Sequence, residues 1–206
     1  LQGLERIRLE VHSPQGQRYA VLMKDALDRI GTLVRRLLQL APARAEEGRC
    51  VVQEVIRDLP LFLASRLSIH RLELDLPEEP LEANGARGDL FPVLLNVVQN
   101  ALDALDEAGP GRPGKIHLQA RAEPGGGVRI TVADNGPGAP EAMLPHLFEP
   151  FTSGKEVGRG TGLGLALAFA TIRQLEGGIE ARNRAEGGLE VTIHLPAARP
   201  PAEERV

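Results

Sequence analysis

The 206-residue chain carries one cysteine, Cys50, one tyrosine, five phenylalanines and no tryptophan. A lone cysteine excludes an intrachain disulfide framework and suits a reducing compartment. Aromatic scarcity argues against a single-stranded nucleic-acid binder that stacks bases on rings. Basic charge is not in excess either: 24 Lys and Arg stand against 28 Asp and Glu, a net −4, which leaves no electrostatic footprint for nucleic acid. No apolar run approaches the ~18 residues that span a bilayer. The longest, Gly162 to Ile172, is short and broken by glycine. No signal peptide is visible, and a chain opening on Leu1 rather than Met is expected to be a piece of something longer. A cytoplasmic location is expected, with any membrane attachment through parts absent from this chain. What remains is ordinary globular composition, 42% hydrophobic and 25% charged, which excludes whole-chain disorder and supplies a core.

The first segment reads as helix. Met23, Ala26, Ile30, Leu33, Leu37 and Leu40 follow a heptad seam, widened by Leu27, Val34 and Leu38. With Leu4, Ile7 and Val11 before the turn-like 12–16 segment, residues 1–44 are expected to form a helical hairpin. A face this wide favours a dimerising bundle over two helices packed on one core. The polar break 41–49 marks a domain boundary, and 45–198 reads as mixed α and β, with 199–206 a tail. Helices are predicted over 51–67, where Pro60 could kink or divide the element, over 89–107, and from about 161 to 175. Strand alternation marks 72–76, 116–122, 128–132 and 189–195, with one further strand before the last.

Three segments carry chemistry. On the helix at 89–107, Asn96, Asn100 and Asp103 share one stripe, although Asn is a poor helix former. A solvated helix face would explain the stripe equally well. Next, Asp134 has the strand parity of Val128, Ile130 and Val132, so it points to the core side, where a carboxylate needs a partner. Gly136 and Gly138 follow and permit close backbone approach to a ligand. An Asx turn at Asp134-Asn135-Gly136 is the plain alternative. Third, Gly160-Thr161-Gly162-Leu163-Gly164-Leu165 opens a helix and can present amides to phosphate. It is neither a Walker A loop, since Glu149 and Glu156 stand at required positions, nor a dinucleotide fingerprint, since Leu163 and Leu165 replace the third glycine.

Taken in this order, the segments resemble the ATP-binding domain of sensor histidine kinases, within the superfamily that includes gyrase, mismatch-repair ATPases and related chaperones. Residues 96–104 resemble the N box and 134–138 the first glycine box. Residues 147–152 resemble the F box, and 160–165 the second glycine box. The resemblance covers about 50–196, and the preceding hairpin is similar to the second half of a dimerisation and phosphotransfer domain. It implies an α+β chain: a helical hairpin followed by a two-layer α/β sandwich of the Bergerat type. It further implies that Asp134 reads the adenine amine, that Asn100 binds Mg²⁺ with support from Asn96, and that Gly160, Thr161, Gly162 and Gly164 hold ATP phosphates. Asp103, Gly136, Gly138, Phe148, Phe151, Thr152, Lys155, Leu163 and Leu165 complete the implied nucleotide site. A homodimer through the N-terminal helices and a response-regulator receiver domain are the implied partners.

Two departures qualify the function. Hydrolytic relatives carry a water-activating Glu four residues before the metal-binding Asn; here Asn96 stands there, and an amide cannot act as general base. Transfer to a protein side chain is therefore expected over hydrolysis. The acceptor pattern of His, an acid and then Asn-Pro-Leu is absent. His12 precedes Ser13-Pro14, and His70, His117, His146 and His194 read as surface or packing residues. The phosphoacceptor is expected upstream of Leu1. A non-catalytic nucleotide-binding scaffold is the competing class, and an ATPase a more distant one.

Overall fold

The computed structural model describes residues 48–109, 113–152 and 162–198. The expected hairpin over 1–44, with His12, lies outside the described residues, as does the tail. In chain order the described elements are β1 (Arg49–Val51), α1 (Val52–Leu63), β2 (Arg71–Asp75), β3 (Glu82–Asn84) and α2 (Arg87–Glu107). Then come β4 (Lys115–Ala122), β5 (Val128–Asp134), a 3-10 turn at Leu144–His146, α3 (Gly164–Gln174), β6 (Gly178–Asn183) and β7 (Leu189–Leu195).

The five-stranded sheet has the order β2-β4-β5-β7-β6, parallel only between β2 and β4. Its register explains the core. Leu118 stands opposite Val132 and Ala120 opposite Ile130; Ile130 and Val132 in turn face Ile193 and Val191. Period-two alternation thus lines up apolar rows across several strands on one face. That face is covered by helices, whose Leu59, Leu94, Leu102, Ala168 and Ile172 are fully buried with Ile116, Ile130 and Ile193. The opposite face is polar: Gln119 Nε2 donates to Asp75 Oδ2 at 2.7 Å, and Arg182 Nε to Glu190 Oε1 at 2.8 Å. Such exposed pairs add little stability and keep this face wet. The result is the two-layer α/β sandwich.

The structure shifts some element boundaries. Helix α1 runs through Pro60 undivided and ends at Leu63, followed by turns through 69. The short antiparallel pair β1–β3 has no counterpart among the predicted strands, and β1 begins inside the polar break at 41–49. Gln53 fastens this region. It is 2% exposed, donates Nε2 to the Glu79 carbonyl at 2.6 Å and accepts the Leu81 N–H at 2.9 Å. Cys50 is buried among these elements, and burial, aided by Asp89 and Glu54, pushes its thiol up to about 11. It is a packing residue.

Ile130 sits at the centre of the apolar rows with no exposed surface. Ile130→Ala should destabilise the fold by about 2–5 kcal/mol, the range for emptying a packed core position. Urea unfolding followed by circular dichroism measures this.

Candidate functional site

Helix α2 is the floor of the site. At its start, Asp89 accepts the Ala86 N–H at 3.2 Å, a negative charge placed where the helix dipole favours it. Leu90, Leu94, Val98 and Leu102 bury one side, and Asn96, Asn100 and Asp103 lie half-buried along the neighbouring stripe. The two asparagine side chains are not spent on other protein groups among the described residues. Asp103 differs: Arg66 Nη1 donates to its Oδ1 at 2.6 Å. Arg66 Nη2 also pairs with Asp106, and Asp106 Oδ1 lies 2.6 Å from His70 Nε2. Because His70 Nδ1 accepts the Gly114 N–H at 3.2 Å, its proton sits on Nε2 and is donated to Asp106. Burial raises the Asp106 carboxyl, but the bonds from His70 and Arg66 outweigh it and hold the group below its ordinary value. The network ties the α1–β2 connection to α2 and to the entry of β4.

Asp134 ends β5 opposite Ile116, the last rung of an otherwise apolar row. It is 3% exposed. Its Oδ1 accepts two backbone bonds, from Gly136 N–H at 2.8 Å and Leu189 N–H at 3.2 Å. Its Oδ2 takes no protein donor among the described residues, where no enclosed side-chain oxygen lacks a partner, so Oδ2 is the oxygen that reaches open space. Burial raises the Asp134 carboxyl above its usual range; the two amides and then the Arg184 charge act against that rise. Asn135 serves the sheet instead. Its Oδ1 accepts the Lys115 N–H at 2.7 Å and holds β4 in register.

The glycines fit close approaches. A Cβ on Gly136 would stand 3.0 Å from Asp134 Oδ1 and 3.5 Å from Leu105, so this residue lies against α2. Gly138 has φ +78°, and a Cβ there would come within 2.7 Å of Asn183 Oδ1. Gly164 opens α3 beside the floor, its Cβ position 3.6 Å from Asn96 Oδ1. Leu163 precedes it, and Leu165 is buried. Phe148 stacks on Phe169 of α3 with centroids 5.7 Å apart, which joins the 147–152 segment to that helix. Phe151 is exposed, but its N–H donates to the Gly162 carbonyl at 3.0 Å, and the Thr152 N–H to the Glu149 carbonyl at 3.3 Å. Lys155, Gly160 and Thr161 lie outside the described residues.

The structure therefore brings Gly136 and Gly164 against α2, beside Leu105 and Asn96, and sets Gly162 against Phe151 and Thr152. It commits Asp103 to an ion pair with Arg66. Sequence reasoning missed the turn between β6 and β7. Asn183 Oδ1 accepts the Ala139 N–H at 2.8 Å and its Nδ2 donates to the Ala139 carbonyl at 2.7 Å. Arg184 Nη1 donates to the Asp134 carbonyl at 2.8 Å. Gly188, at φ +93°, sits so close that a Cβ would be 2.0 Å from the Asp134 carbonyl oxygen. Glu186-Gly187-Gly188 is a turn signal visible in the sequence; its packing against Asp134 is not.

Since the folded Asp134 carboxyl titrates above its unfolded value, its contribution to stability is largest at low pH and is lost as pH rises through the folded pKa. Asp134→Asn keeps an acceptor for both amides and removes the buried charge. It should therefore be more stable than the parent at pH 7, with the difference closing as pH falls. Thermal unfolding at pH 4.5 to 8 measures this; a variant less stable at pH 7 would show that the ionised carboxylate is itself a stabilising group.

This geometry matches known proteins. The family of histidine kinase-, DNA gyrase B- and HSP90-like ATPases matches residues 85–199, more than half of the chain. The C4-dicarboxylate transport sensor protein DctB of Pseudomonas aeruginosa is 36% identical over 84% of this chain and 28% of its own length. The sensory histidine kinase/phosphatase NtrB of Klebsiella oxytoca is 34% identical over 89% of this chain and 53% of its own. The chain thus spans only part of these relatives. Among solved structures, the mycobacterial sensor histidine kinase MprB superposes with a TM-score of 0.63 at 25% identity, covering 75% of this chain and 99% of that one. The sandwich that carries these residues is of the Bergerat type, and the chain belongs to the histidine kinase-, DNA gyrase B- and HSP90-like ATPase family.

Proposed function

We propose that this chain is the nucleotide-binding part of a sensor histidine kinase, which binds ATP with Mg²⁺ and directs the γ-phosphoryl group to a histidine. The observation that carries the reading is the buried Asp134, whose Oδ1 is saturated by two amides while Oδ2 is left for a ligand donor. An acceptor oxygen at the end of a hydrophobic row suits the exocyclic amine of a flat, largely apolar base. Gly136 and Gly138 let the chain after Asp134 pack closely on α2 and on Asn183, which fixes the carboxylate in place. The amide oxygen of Asn100 would hold the cation, with Asn96 supporting it one turn earlier. Phosphate oxygens and water would supply the remaining ligands of such a cation. Gly162, Leu163 and Gly164 place α3's N-terminus toward phosphate, joined in this reading by Gly160, Thr161 and Lys155. Bound ATP–Mg²⁺ supplies the transferable phosphoryl group and the charge neutralisation it needs.

Asn96 at the position of a water-activating acid favours transfer over hydrolysis. In this reading the acceptor is a histidine outside the 206 residues, on a dimerising helical domain of which the 1–44 segment is read as a part. Relay to a response-regulator receiver domain follows, in keeping with the sensor relatives. In this reading the site works in the cytoplasm, where ATP is supplied. Among the described residues no helix is long and apolar enough to cross a membrane.

Calorimetric titration with ATP, with and without Mg²⁺, tests the site. Asp134→Ala should weaken binding by about 10- to 150-fold, a loss of ~1.5–3 kcal/mol for a bond to a charged partner. Asn100→Ala should make the affinities with and without Mg²⁺ converge; an undiminished Mg²⁺ effect would place the metal elsewhere. With γ-labelled ATP the 206-residue chain should bind nucleotide yet gain no acid-labile label, and a chain extended by its natural upstream residues should gain it. Labelling of the present chain that is lost in His12→Ala would make His12 the acceptor.

A further inference from the structure

We infer that Arg184 is a positioning residue for the nucleotide-reading carboxylate, anchoring Asp134 with Oδ2 turned to the ligand; the inference rests on the nucleotide reading of Asp134. The turn between β6 and β7 is closed on itself, with Arg184 N–H donating to the Gly188 carbonyl at 2.9 Å and Gly187 N–H to the Arg184 carbonyl at 3.1 Å. From this frame the guanidinium reaches the Asp134 carbonyl at 2.8 Å, and the Leu189 N–H reaches Oδ1 at 3.2 Å. The same turn therefore grips the main chain and the side chain of one residue. Asn183 repeats the grip at Ala139, through both atoms of its amide. A Cβ at Gly188 would make this approach impossible.

The charge matters as well as the bond. Among the described residues, Lys115 starts the neighbouring β4, and Arg184 on the turn stands at the Asp134 carbonyl and pairs with Glu186. Of these, Arg184 is the charge that opposes the rise caused by burial. A guanidinium is always protonated, and its two nitrogens here serve the Asp134 carbonyl and the Glu186 carboxylate. Its removal leaves a desolvated carboxylate opposed only by backbone amides. Asp134 would then take up a proton at higher pH, and a protonated carboxyl no longer offers the same acceptor to a base amine.

The test compares the full chain with Arg184→Met, Arg184→Lys and Asp134→Asn. ATP affinity is measured from pH 5 to 8, and the Asp134 carboxyl carbon is titrated by NMR without ligand. Arg184→Met should bind ATP about tenfold more weakly at pH 7, the scale of one charge-assisted bond. Its Asp134 should titrate at higher pH, and its affinity should begin to fall at higher pH than the parent's. Arg184→Lys should restore the parent's pH profile, which a purely structural role would not predict. If Arg184→Met does not fold, Arg184→Gln, which keeps a donor without the charge, should show the same upward displacement. Parent-like titration and affinity in the uncharged variant would overturn the inference while leaving the nucleotide site intact. Failure of the parent itself to bind ATP would overturn the reading of Asp134, and the inference with it.

Discussion

A carboxylate placed on the inward parity of a central strand constrains everything around it. Such a group is costly in a low-dielectric interior unless donors surround it. Here the donors come from the chain that follows Asp134 and from a turn 55 residues away, at Leu189. That requirement explains why the neighbouring positions are glycines, since a side chain at Gly136 or Gly188 would occupy the space through which the amides approach. It also explains why the site is poised for a ligand. One carboxylate oxygen takes both amides, and the other is left open for recognition.

Around this point α2 acts as a common base. Gly136 packs on it near Leu105 and Gly164 near Asn96, so the loop after β5 and the N-terminus of α3 share one support. The 147–152 segment is tied to α3 by the Phe148–Phe169 stack and to Gly162 by the Phe151 amide. Phosphoryl transfer depends chiefly on positioning and charge stabilisation, and a single helix that references several contacts is well suited to that demand.

The Arg66–Asp103–Asp106–His70 network works at the far end of the same helix. It anchors the last turns of α2 to the α1–β2 connection and, through Gly114, to the entry of β4. The bond into His70 sets its tautomer, and both ring nitrogens are committed to protein partners.

Much of the site is legible in the sequence because helix and strand periodicities are local. The 3.6-residue repeat puts Asn96, Asn100 and Asp103 on one stripe of α2, and alternation along 128–134 puts Asp134 on the core side. The same patterns do not show β1 and β3, too short to display a period, nor the sheet order β2-β4-β5-β7-β6, which depends on pairings between distant segments. They do not show that Asp103 meets Arg66, 37 residues earlier, or that Arg184, 50 residues after Asp134, reaches its carbonyl. Periodicity records which face a residue occupies. Which partner stands opposite that face is decided only when sheet register and helix packing bring separate segments together.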